Sequence, residues 1–336
     1  NSMTGLDLFT GIILIGAFSL AYSIYGGLKA VALTDIIQVV LLVSGGLLIA
    51  WFTLDLIGEG AGFMAGLHIL MERTPEKFDM ILSPENPNYV SLPGISVLVG
   101  GMWIMNLSYW GFNQYIIQRA LGAKSVREAQ KGIVFAAFLK LLMPVLVVIP
   151  GMAAVILAPP LDRPDQAYPT MMNLLPAGLK GLVFAALIAA IVASLASKIN
   201  SVSTIFTMDL YKKGRPQSSQ HHLVTVGRIT SVVSIIIAII VAKPLSGKFP
   251  QAFQYIQEFT GFFTPAVVAI FVMGIFWKKA TPNSAIVAAV MSVALSAAFW
   301  WFQPALPFMD RVGLVFLCCV ASMVVVTLLE HKASQK

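Results

Sequence analysis

Apolar runs of about 20 residues or more recur along this chain and constrain it more than any other feature. About 20 helical residues cross a hydrocarbon core about 30 Å thick. A backbone inside lipid must satisfy its own hydrogen bonds, so spanning segments are helices or strands of a closed barrel. Barrel strands alternate apolar and polar over about 10 residues. Stretches such as 231–242 and 313–329 do not alternate, so the spans are predicted to be helices. The rest of the composition agrees: 58% of the 336 residues are apolar and 11% are charged. A soluble domain usually carries about 25% charged residues, and so few charges cannot cover a soluble surface of this size.

The spans read approximately as 8–27, 34–54, 92–120, 131–157, 179–210, 223–242, 253–277, 282–302 and 312–329. Basic residues mark one side. Arg119, Lys124, Arg127 and Lys131 share a loop, as do Lys212, Lys213 and Arg215, then Lys278 and Lys279. His331, Lys332 and Lys336 follow in the tail, and single crossings put all four groups on the cytoplasmic side. Lys243 and Lys248 fall outside and are outweighed. The acidic segment 55–92 suits the exterior, with a short helix expected around 62–72. The net charge of +7 therefore reflects topology and does not indicate a nucleic-acid partner. Cys318 and Cys319 are neighbours within the last span and form no disulfide framework or metal site. The chain opens on Asn1 and enters an apolar run almost at once, which reads as an N-terminally truncated membrane protein. The protein is expected to be a multi-pass occupant of the plasma or inner membrane, with the lipid bilayer as a partner.

Polar residues at mid-span carry the functional information, because a charged side chain there costs about 2.5–3.5 kcal/mol on insertion scales. Lys140 lies well inside the fourth span, nine residues beyond Lys131. That is roughly 13 Å of helix, too far for easy snorkelling. It therefore needs an oxygen partner from protein or solute. The third span is rich in glycine (Gly94, Gly100, Gly101, Gly111), as an interrupted helix at a solute site is. Asn106, Tyr109 and Asn113 share a face there if the helix is continuous. The pair Tyr109–Trp110 offers an apolar ring face beside hydrogen-bonding groups, the mixture a pyranose needs, although an interfacial aromatic belt is the bland reading. In the fifth span Ala190, Ala193, Ser194, Ser197, Ser201 and Thr204 form a small, hydroxylated stripe. It serves close helix packing or the donation of oxygens to a hard monovalent cation. Gln254, Gln257 and Glu258 make the start of the seventh span polar. Asp35 opens the second span, where a carboxylate also suits a helix N-terminus.

Taken together these residues resemble the sodium:solute symporter family, in particular its bacterial sodium/galactose and sodium/glucose members. The resemblance covers nearly the whole chain. Its most specific pieces are Ser23 to Ala30 with Thr34-Asp35, and Tyr109 to Arg119. Gly132 to Lys140, Ser194 to Asn200 and Ala252 to Glu258 add to them. The resemblance implies an all-α polytopic transporter with two inverted five-helix repeats, N-terminally truncated here, and about nine transmembrane helices. Residues 1–54 would end the first repeat, 92–277 form the second, and 282–329 be additional helices of a single transporter domain spanning 1–336. It implies sodium-driven symport of a galactose- or glucose-like sugar by alternating access, with sodium as the co-transported ion. Asn106, Lys140 and Gln257 would hydrogen-bond sugar hydroxyls. Tyr109 would stack under the ring as the inner gate, with Trp110 beside it and Phe253 at the outer gate. Ala190 and Ala193 would offer carbonyls, and Ser194 a hydroxyl, to sodium. Asp35 would line sodium's inward exit. Two positions depart from the pattern: Ala193 replaces a frequent hydroxyl, and Ser108 replaces an aromatic.

A symporter of an amino acid, carboxylate or vitamin remains the rival within the family, since a lysine can equally meet a carboxylate. A channel calls for a repeated filter or a ring of charge, and the sequence has neither. An enzyme calls for a nucleophile with its base or a metal cluster; His68, His221, His222 and His331, read as loop or tail residues, form no such set.

Overall fold

The computed structural model describes residues 5–86, 88–90, 94–245 and 252–333, without the side chains of 26–33, 243–245, 252, 254 and 255. The glycine motif at Gly26 and Gly27, the side chains of Lys243 and Gln254, and Lys248 and Lys336 thus lie outside the described residues. In chain order the helices are α1 (Leu8–Ile57), α2 (Phe63–Arg73), α3 (Ile95–Val99), α4 (Gly101–Leu107) and α5 (Gln114–Leu121). Next come α6 (Val126–Lys140), α7 (Ile149–Leu157), α8 (Ala167–Asn173), α9 (Ala177–Thr204) and α10 (Lys212–Gly214). The last five are α11 (Gln220–Leu245), α12 (Ala252–Gly261), α13 (Thr264–Phe276), α14 (Pro282–Phe302) and α15 (Phe308–Ala333). The short helix expected in the acidic segment is α2, and it carries His68 within 3.4 Å of Glu72.

Side chains start several of these helices. Asp7 accepts from the Phe9 amide at 2.8 Å, and Ser125 accepts from Glu128 N at 3.3 Å in a Ser-x-x-Glu frame. Thr281 caps α14 ahead of Pro282, whose missing N–H is harmless in a first turn.

Among the described residues, eight stretches are long and apolar enough to cross a membrane: Leu8–Tyr25, Thr34–Ile57, Ile95–Phe112, Val126–Leu157, Ala177–Gly214, Gln220–Ala242, Pro282–Phe302 and Phe308–Ala333. The ninth expected span, 253–277, is instead two short helices, α12 and α13. Pro265 has no N–H to meet the carbonyl of Gly261, four residues back, and the helix is broken there between α12 and α13.

The first two spans run on as one hydrogen-bonded helix, α1, but that helix is not straight. Tyr22 Oη meets Thr34 Oγ1, twelve residues on. A straight helix would separate them by about 18 Å, beyond the reach of both side chains, so α1 bends back between them. The two expected spans survive as its two limbs. Asp35 consequently sits inside a helix and caps no terminus, a correction to the cap reading.

Two further helices break. Gly100, at φ −107° and ψ −106°, separates α3 from α4, and a π-helical turn over Ser108–Phe112 follows. Asn113 is then extended, at φ −87° and ψ 116°. The common face expected for Asn106, Tyr109 and Asn113 is therefore absent, because it required an unbroken 3.6-residue period. The fourth span breaks after Lys140, the last residue of α6. Pro144 lacks the N–H that would reach the Lys140 carbonyl, and a π-helical turn over Pro144–Val148 leads into α7.

The chain forms two compact units, Asn1–Pro75 with Gln118–Gln251, and Glu76–Ile117 with Ala252–Lys336. In the first, α1 packs mainly on α9, and fully buried Ile49 and Leu54 of α1 share a core with Leu70 of α2, Met171 of α8 and Val183 of α9. The Leu54 carbonyl presses so close to Gly66 that any Cβ there would collide with it. In the second, α13, α14 and α15 pack through Ala266, Ala269, Ala288, Val315 and Cys319. Small residues allow such close approach between membrane helices. Cys319 is buried, with Sγ 3.5 Å from the Ala288 carbonyl, while Cys318 is exposed.

Candidate transport site

The candidate residues divide between the two units. In the second unit, Asn106 is half-buried on α4 and donates from Nδ2 to the Met102 carbonyl at 2.9 Å. Asn106 lies just before the π-helical turn over Ser108–Phe112. Such turns concentrate at functional sites because they displace side chains from the helical register. Here the turn carries Tyr109 and Trp110, 43% and 44% exposed, in an edge-to-face pair with centroids 5.1 Å apart. Tyr115 donates its hydroxyl hydrogen bond to Tyr109 Oη, which fixes the Tyr109 ring while leaving it exposed. At the end of the turn Phe112 stacks on Phe271 of α13 at 4.5 Å, anchoring the displaced segment. On α12, Gln257 is half-buried and Phe253 is 71% exposed.

In the first unit, Lys140 ends α6 at the Pro144 break, with an exposed side chain. It is thus not in the middle of a continuous helix. The residues read as sodium ligands lie on α9, which runs unbroken for 28 residues. The stripe expected there divides. Ala193, Ser197 and Ser201 are buried, whereas Ser194 is exposed and Ala190 half-buried. Residues 193, 197 and 201 follow a four-residue repeat toward the protein, and 190 and 194 follow another beside it. Spacings of three and four joined two neighbouring rows into one apparent face.

A polar cluster that the sequence did not reveal joins α1, α5 and α9. Arg119 donates from Nε at 3.0 Å and Nη2 at 2.6 Å to Asp35 Oδ2. The same Nη2 lies 2.8 Å from Ser197 Oγ, which accepts from it, and Gln118 Nε2 donates to the Ser197 carbonyl at 3.4 Å. Ser23 Oγ donates to Asn200 Oδ1 at 3.0 Å. Ser197, placed in the stripe for its size, is here a hydrogen-bonding member of an ion-pair network. In the sequence, chemistry attaches to Asp35 alone of the ion pair, and Arg119 reads as a loop charge. The one available signal was that both fall in the most specific stretches of the resemblance.

Residues 1–292 match the profile of the sodium:solute symporter family. The chain belongs to this family. It is 50% identical over 330 residues to a sodium/glucose cotransporter of Vibrio parahaemolyticus, a match covering 93% of this chain and 60% of that protein. It is 33% identical over 317 residues to the sodium/myo-inositol cotransporter 2 of Rattus norvegicus, covering 86% of this chain and 47% of that one. The chain thus spans about half to three-fifths of the length of these relatives. Among solved structures, a sodium-coupled sialic acid symporter in a substrate-bound outward-open state superposes with a TM-score of 0.79 at 23% identity. That match covers 97% of this chain and 68% of the other. The fold is therefore the all-helical inverted-repeat transporter fold, and the protein is an integral, multi-pass membrane protein.

Proposed function

We propose that the protein takes part in sodium-coupled symport of a galactose- or glucose-like sugar by alternating access, with no covalent chemistry. The observation that carries this reading is the 50% identity to a sodium/glucose cotransporter over 93% of the chain. The local chemistry supports it. An exposed ring pair on a displaced turn, beside the amide of Asn106, suits a solute with apolar C–H faces and a polar rim. Asn106, Lys140 and Gln257 hydrogen-bond the solute, Tyr109 stacks against it as the inner gate with Trp110 beside it, and Phe253 belongs to the outer gate. Ala190 and Ala193 offer carbonyls, and Ser194 its hydroxyl, to sodium, and Asp35 lies on the ion's inward route. Residues 1–54 belong to the first repeat, 92–277 to the second, and 282–329 are additional helices. Because sodium and solute bind linked states, each raises the affinity for the other.

The test is uptake by the complete protein in proteoliposomes. Labelled galactose and glucose should enter only under an inward sodium gradient and not when potassium replaces sodium. Myo-inositol, an amino acid and a carboxylate serve as competitors. Hexose uptake indifferent to sodium, or sodium-driven uptake of a competitor alone, would overturn the reading.

A further inference from the structure

The break between α12 and α13 is pinned from two other helices of the same unit. Ser292 of α14, fully buried, donates from Oγ to the Phe262 carbonyl at 2.8 Å. This satisfies an acceptor beyond the end of α12, where helical partners run out. From α15, Arg311 lays its guanidinium over the Phe262 ring, with Cζ 5.9 Å from the centroid. That is within cation–π range. Arg311 is only 5% exposed. A guanidinium does not give up its proton in a protein, so a buried one needs a compensating charge. The carboxylate whose charge bears on it through space is Glu258, on α12 one turn before Phe262. Gly261 lets the helices approach here: a Cβ at that position would lie 3.2 Å from Val312 and 3.8 Å from Phe308, both on α15.

Glu258 directly follows Gln257, and Phe253 lies five residues before it on the same helix. The orientation of α12 about its lower end therefore sets where both side chains reach. A ten-residue helix that stops at a glycine and restarts before a proline has little stiffness of its own at that joint. We propose that Arg311 is a positioning residue that holds α12, by its stacking on Phe262 at the end of that helix, in the orientation that presents Gln257 to the solute. The helix it sits on, α15, thereby tunes solute affinity from outside the site. The solute role of Gln257 rests on the symport reading above; the hold on α12 does not.

The experiment uses the complete protein in proteoliposomes, with Arg311→Met, Arg311→Lys, Glu258→Gln and the exchanged pair Glu258→Arg with Arg311→Glu. Sodium-driven galactose uptake is expected to show an apparent KM raised about tenfold in Arg311→Met and Glu258→Gln. The maximal rate per inserted molecule should change less than about twofold, the pattern of lost ground-state binding. Arg311→Lys should recover most of the affinity, and the exchanged pair part of it. Normal KM in both single variants overturns the proposal, as does a raised KM that neither Arg311→Lys nor the exchange improves. A second readout is independent of transport. Phe253→Cys, with exposed Cys318 replaced by alanine, is labelled by a membrane-impermeant maleimide with and without Arg311→Met. A clear change in labelling rate is expected, and equal rates overturn the hold on α12. A changed rate in a protein that carries no hexose retains that hold and instead defeats the sugar reading.

Discussion

Helix α9 and the segment from α3 to α5 carry candidate residues in opposite ways. Helix α9 runs 28 residues without a break, and its small residues split into a buried row and an exposed row. The α3–α5 segment is interrupted at Gly100, through Ser108–Phe112 and at Asn113. A continuous helix offers a cation only what its outer row and second carbonyl lone pairs leave over from packing. A broken one turns large aromatic groups out of register and exposes them. Single substitutions should therefore act sharply in the broken segment and mildly on α9. On α9 the buried row should govern stability and the exposed row the ion.

The largest effect is expected at Tyr109. Tyr109→Ala removes both ring face and gate and should lower sodium-driven sugar uptake on the order of 100-fold. Tyr109→Phe keeps the face and loses only the contact with the Tyr115 hydroxyl, so a change of a few-fold is expected. Equal damage from the two would mean the hydroxyl matters more than the face. Lys140 comes next. Lys140→Ala should weaken sugar binding by about 1.5–3 kcal/mol if a charged hydrogen bond to solute is lost. Equilibrium binding of labelled sugar measures this, and normal binding would make Lys140 structural.

The Asp35–Arg119–Ser197 network ranks third, and it tests the buried row. Arg119→Ala leaves the Asp35 carboxylate without the guanidinium that meets it at 2.6 Å. Thermal stability of the purified protein should fall, and sodium release should change with it. Ser197→Ala removes one acceptor from the same guanidinium and should lower stability by about 1 kcal/mol. A change in sodium affinity with unchanged stability would place Ser197 in the ion's shell and erase the contrast between the rows.

Much of the fold was legible because length and apolarity alone decide a membrane helix. The breaks were half legible. Gly100, Pro144 and Pro265 stand in plain view, but a proline inside a membrane helix does not say how neighbours satisfy the freed backbone. The π-helical turns left no such mark, so a face computed at 3.6 residues per turn wrongly included Asn113. Asp35 and Arg119 are 84 residues apart, and their pairing depends on the bend in α1, whose sequence reads equally well as a loop. Arg311 carries no signal in the sequence, because it follows Asp310 at the edge of a span, where charged residues are ordinary. Its burial and its place over the Phe262 ring distinguish it.

The smallest expected effect decides whether the exposed row of α9 serves the ion at all. Ser194 is exposed and Ala193, its neighbour, is buried. Sodium is a hard ion that favours oxygen ligands, and Ser194 offers a hydroxyl where Ala193 offers only its backbone carbonyl. Ser194→Ala removes that oxygen without opening a core cavity, so stability should stay within about 0.5 kcal/mol. The apparent sodium affinity should fall several-fold, about what one neutral ligand contributes. Ala193→Ser adds a hydroxyl on the buried row. If its oxygen reaches the ion, sodium affinity recovers in the double variant with Ser194→Ala. If it only packs, Ala193→Ser lowers stability and leaves the ion dependence alone. Sodium titrations of uptake, read beside melting curves of the same four proteins, separate these outcomes. Unchanged sodium dependence in Ser194→Ala would return the whole stripe to helix packing, and the contrast between α9 and the broken segment would become one of structure alone.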